Sequence, residues 1–220
     1  MSGSIKKAYI CNLVIAFTEL FAVAWMFSGI LVGHGQVTFT SARWGMLKYY
    51  TVDSNILMGI VAALSAHAQK AVLDGKQQTV PPALCGMKLA GVVGVTLTML
   101  VTVFFLAPTS QYGWLSLFTN SNLFLHLLLP LASLFGFLVY ERGSVSRRRD
   151  SLLGIASVVI YGVCYAVNCA LHTVDNVVPR QYDWYGFAAG GLRSGCLVAL
   201  PLLLLISYAV SFLLWRMNRR

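Results

Sequence analysis

A hydroxyl nucleophile, a base and a polar group to orient them would suffice for acyl transfer, and this sequence offers a candidate for each. Thr51 carries the hydroxyl, but an internal threonine has no free amine of its own and stays inert until a neighbouring base takes its proton. His126 could be that base, because it lies near the middle of an apolar run where a neutral imidazole is expected. Asn122, one helical turn earlier, could orient the imidazole or donate to a developing oxyanion. Asn55 is one turn beyond Thr51 and shares its face, while Asn168 and His172 form a further polar pair one turn apart. Asp53 points away from Thr51 by about 200° on an ideal helix and belongs to a different face.

The composition decides what must position these residues. Of 220 residues, 58% are hydrophobic and only 10% charged, and the mean hydropathy is +0.73. A water-soluble domain carries roughly 25% charge, so a soluble fold, a disordered chain and a disulfide-stapled module are excluded. Five cysteines lie in or beside apolar runs with no CxxC spacing and read as small hydrophobes. The expected fold is all-α and polytopic, with six transmembrane helices in one bundle near residues 8–32, 47–67, 84–107, 116–140, 151–173 and 192–215.

Twelve basic residues fall on the side of the termini and four on the other, which predicts cytoplasmic termini. The excess of nine positive charges then serves orientation and anionic lipid, and nucleic acid is not an expected partner. Spans two and four begin alike, Tyr50-Thr51-Val52-Asp53-Ser54-Asn55 and Phe118-Thr119-Asn120-Ser121-Asn122, which suggests an internal duplication of a helical unit. The small-residue pairs Gly186/Gly190 and Gly191/Gly195 suggest close helix packing.

Ionisable and amide groups within membrane spans are costly and need partners. Thr51 and Asn55 form one stripe, Thr119, Asn122 and His126 a second, and Tyr161, Tyr165, Asn168, His172 and Asp175 a third. Lipid rejects all three, so they are expected to face one another around a cavity open to the outside. Pro130 lacks the N–H that would bond the carbonyl of His126, which predicts a kink there. In the inner half only Glu19 and Asn12 stand out.

No nucleotide, zinc-protease or serine-elbow motif is present, and nothing calls for a cofactor or a metal. The run Trp44-Gly45-Met46-Leu47-Lys48-Tyr49-Tyr50-Thr51 and the run Asn122-Leu123-Phe124-Leu125-His126, with Pro130 soon after, resemble two segments of the androgen-induced membrane hydrolase family. The sequence resembles that family's bacterial six-span relatives more closely still. The resemblance implies a threonine hydrolase of fatty acid esters of hydroxy fatty acids, with six spans and cytoplasmic termini. It assigns Thr51 as nucleophile and His126 as base, a membrane lipid ester as substrate and a bacterial cell membrane as location. The residues also allow a small-solute or proton-coupled transporter, in which Glu19, Asp53, His172 and Arg193 couple or bind, and a purely structural role in which the ladders hold helices together.

Overall fold

The computed structural model describes residues 2–32, 41–145, 147–188 and 192–219, without the side chains of Ser2 and residues 192–197. His34, Gly190 and Gly191 lie outside these residues, as does the side chain of Arg193. Six helices cross the apolar layer: α1 (Ser2–Ser28), α2 (Tyr50–Leu73), α3 (Pro82–Leu106), α4 (Ser121–Tyr140), α5 (Asp150–Leu171) and α6 (Leu192–Arg219). The described residues contain no strand, and the chain is an all-α, multi-pass membrane protein. An even number of crossings puts both termini on one face, called here the near face; the opposite face is the far face.

Helix α3 is the hub. It packs against α2, α4, α5 and α6, and nearly every residue from Cys85 to Thr98 is buried. Its glycines allow the approach. A Cβ on Gly91 would lie 3.1 Å from Met58 Sδ of α2, and one on Gly94 would lie 3.0 Å from the Tyr50 hydroxyl and 3.4 Å from Ser157 Oγ of α5. Without a hydrophobic drive between helices in lipid, such small-residue contacts supply the packing. Phe17, Leu20, Phe104, Ile160 and Leu205 point outward, as a lipid-facing surface requires. Helix α1 turns the stripe Ala8, Asn12, Ile15, Glu19 and Ala22 inward, chiefly onto α2.

Both α2 and α4 follow a 3₁₀ turn, Arg43–Lys48 in one case and Trp114–Phe118 in the other, and each turn is followed by one extended residue. The echoed sequence is nevertheless placed differently. Thr51 lies inside α2, whereas Thr119 is extended and precedes α4, so Thr119 leaves the stripe expected with Asn122 and His126. Asn120 adopts φ 53° and its Oδ1 accepts the Val32 N–H at 2.7 Å, which fixes the chain before the helix begins. Gly186 has φ +72° in the loop before α6 and makes a turn rather than a helix contact.

The near half of the bundle is more polar than expected. Asn12 Nδ2 donates to Gln69 Oε1 at 3.0 Å and to Glu141 Oε1 at 2.5 Å, and Gln69 Nε2 donates to the same Glu141 oxygen at 2.9 Å. Lys88 Nζ donates to Asn12 Oδ1 and lies 3.8 Å from Glu141 Oε2. Lys88 is therefore a buried partner of a carboxylate rather than an exposed topology cation. Asn218 closes the cluster, donating to the Phe137 and Glu141 carbonyls at 2.8 and 3.0 Å.

Candidate active site

Helix α4 changes register where it carries His126. Phe124–Leu128 is π-helical, and the Leu129 N–H donates to Phe124 O, five residues back. In this register the N–H missing from Pro130 would have served Leu125 O, so the orphaned carbonyl is that of Leu125 and not that of His126, as the α-helical expectation had it. Asn55 of α2 answers the vacancy. Its Nδ2 donates to Leu125 O at 3.1 Å and to Thr51 O at 2.7 Å. One buried amide thus joins the turn of Thr51 to the turn of His126.

His126 is buried, and its Nδ1 lies 2.9 Å from Leu117 O. A carbonyl oxygen only accepts, so Nδ1 carries the hydrogen and the neutral ring keeps its lone pair on Nε2. The 3₁₀ turn before α4 positions this acceptor nine residues upstream of the histidine. A ring held in this tautomer can accept a proton at Nε2.

Thr51, Asn122 and His126 line one pocket of about 40 Å³ together with Met26, Leu106 and Tyr185. That volume accommodates about one or two water molecules. Thr51 also lines a second, apolar cavity of about 490 Å³ between α3, α5 and α6, walled by Leu97, Val101, Phe105, Leu200 and Leu203. The threonine stands where this small pocket and the large apolar cavity adjoin. Tyr185, from the loop between α5 and α6, lines both. Its hydroxyl accepts the Tyr50 N–H at 2.9 Å, and burial pushes the phenol up to about 12, so it remains protonated at neutral pH. Neither its position beside Thr51 nor its loop conformation has a signal in local sequence spacing.

The remaining expected site residues are elsewhere. Asn168 Nδ2 donates to Tyr182 O at 2.8 Å, and His172 Nδ1 donates to Asn168 O at 2.8 Å. The His172 ring stacks on Tyr182 with centroids 3.6 Å apart. Helix α5 ends at Leu171, so His172 and Asp175 leave the predicted ladder, and Asp175 and Asn176 form a tight turn with φ 50° and 63°. Both Asn168 and His172 build the far-face loop instead of joining Thr51 and His126. Asp53 lines a third cavity on the other side of α2, apart from Thr51 as its helical position requires.

Comparison with family models, with curated proteins and with solved structures gives no match.

Proposed function

We propose that this protein is an intramembrane hydrolase of lipid esters, with Thr51 as nucleophile and His126 as base. The observation that carries the reading is the position of Thr51 between the 490 Å³ apolar cavity and the small pocket shared with His126 and Asn122. An ester bound with an acyl chain in the apolar cavity presents its carbonyl where the two spaces adjoin. Thr51 Oγ1 attacks the carbonyl carbon and its proton passes to His126 Nε2. Asn122 Nδ2 donates to the developing oxyanion. Collapse breaks the ester C–O bond, and the leaving alkoxide takes the proton from His126. A water activated by the same nitrogen then hydrolyses the acyl-threonine, restoring the hydroxyl. The resemblance to threonine hydrolases of fatty acid esters of hydroxy fatty acids supports the same pair and the same substrate class.

The basic excess on the near face supports cytoplasmic termini, in a bacterial cell membrane, with the far face outside. A fluorophosphonate probe tests the activity. Labelling of the folded protein that disappears in Thr51→Ala is expected, and absence of labelling of the wild type overturns the reading.

A second reading has one observation in its favour. Glu19 is buried at 2% exposure and neither carboxyl oxygen has a hydrogen-bond partner among the described residues. An isolated carboxyl at mid-span is costly and commonly marks a proton or solute path. Uptake into liposomes that is lost in Glu19→Gln would support transport, and uptake indifferent to that substitution would remove it.

A further inference from the structure

The third cavity, about 390 Å³ at the far end of α2 and α5, is lined by neither Thr51 nor His126, although it shares Tyr50, Tyr161 and Tyr165 with the apolar cavity. Asp53 is its only acidic lining residue. The carboxylate is half-buried and forms no ion pair among the described residues; the two pairs present are Lys70–Asp74 and Lys88–Glu141. Lys48, also on the lining, is not engaged with it, because its Nζ sits 5.0 Å above the Tyr49 ring.

The rest of the wall is aromatic. Tyr50, Tyr161, Tyr165 and Trp184 line the cavity as a continuous train of rings, with successive centroids 5.1, 6.3 and 5.0 Å apart. Their polar edges are already used. Tyr161 donates to Lys48 O at 2.5 Å, Trp184 Nε1 donates to the Tyr161 hydroxyl at 3.0 Å, and Tyr165 donates to Asp183 Oδ1. The Tyr50 hydroxyl shares a hydrogen bond with Ser157 Oγ at 3.0 Å. What these rings offer a ligand is π surface, held rigid by bonds made elsewhere.

An unpaired carboxylate beside tethered aromatic rings selects against anions and favours cations. A small inorganic cation would want several oxygen ligands, and one carboxylate among rings does not supply them. An organic ammonium gains from both features at once. We propose that this cavity is a binding site for an alkylammonium group, with Asp53 as its counter-ion and the Tyr50, Tyr161, Tyr165 and Trp184 rings as its cage. The ammonium of a zwitterionic phospholipid headgroup and a free amine such as choline share this chemistry. A phospholipid adds a phosphate, for which Lys48 lies on the same wall. The assignment does not rest on the hydrolase reading, since neither Thr51 nor His126 lines this cavity.

Calorimetric titration of the purified full chain in a non-ionic maltoside, with choline and with dihexanoyl phosphatidylcholine, tests the assignment. Saturable binding of at least one is expected, weakened tenfold or more in Asp53→Asn and retained in Asp53→Glu, with dihexanoyl phosphatidylglycerol not binding. If Lys48→Gln weakens the phospholipid alone, the ligand is a lipid headgroup; if choline binds as tightly as the phospholipid and Lys48→Gln changes neither, it is a free amine. Binding of neither ammonium ligand to wild type overturns the proposal, as does equal affinity in wild type and a folded Asp53→Asn. Should Asp53→Asn not fold, Trp184→Leu replaces it, and undiminished binding in that variant overturns the cage.

Discussion

Asn55 Nδ2 sits 3.1 Å from Leu125 O, the carbonyl released where α4 passes through its π-helical turn one residue before His126. The hydrogen bond links the register shift before Pro130 on one helix to the turn of Thr51 on another. It gives Asn55 a structural task beside the site.

Replacing Asn55 with leucine leaves Leu125 O and Thr51 O without this donor in a buried interface. The expected cost is about 1–3 kcal/mol of stability. Unfolding in detergent measures it, and hydrolysis should fall as well, because α2 and α4 lose the bond that sets their mutual position.

Pro130→Ala restores an N–H. The segment 124–128 is then free to return to the α register, which turns the His126 side chain relative to α2. The variant should be at least as stable as wild type, by the thermal midpoint, yet lose tenfold or more in ester hydrolysis. Unchanged turnover would separate the π turn from catalysis.

The pair Lys88 and Glu141 is nearly sealed, with side-chain exposures of 4% and 8%. Lys88→Met alone strands the Glu141 carboxylate and should destabilise the bundle by about 3–5 kcal/mol. The double variant Lys88→Met with Glu141→Gln should recover part of that loss, so that a double-mutant cycle gives a favourable coupling.

Gly59 faces Glu19 so closely that an added Cβ would lie 2.9 Å from Glu19 Cβ. Gly59→Ala should therefore push α1 from α2 and cost about 1–3 kcal/mol. Glu19→Gly in the same chain removes the clashing carbon and should restore stability. If it does not, the approach of the two backbones is set elsewhere.

Much of the architecture is legible in the residues themselves. Runs of about twenty apolar residues specify six crossings because lipid permits only helices that satisfy their own backbone, and the observed helices begin and end within a few residues of those runs, save that α1 and α2 are shifted toward the near face and α4 begins five residues late. Pro130 announces a disturbance at His126, since its missing N–H is a property of the residue. Helical periodicity also separates Asp53 from Thr51.

Periodicity fails wherever a residue is not on a helix. Thr119 precedes α4 and is cut off from it by Asn120 at positive φ, while His172 and Asp175 lie beyond the end of α5 at Leu171. Which carbonyl Pro130 orphans depends on whether α4 is α- or π-helical there, and packing against Asn55 accompanies the choice. The Lys88–Glu141 cluster joins Asn12, Gln69, Lys88, Glu141 and Asn218 from five separate segments of the near half, a gathering that no spacing along one chain segment encodes. Tyr185 meets Thr51 only because the loop before α6 folds back over α2. The sequence by itself determined how many helices form and which of their faces repel lipid; the tertiary structure alone decided which polar groups meet, because their partners stand on other helices whose mutual placement no local spacing encodes.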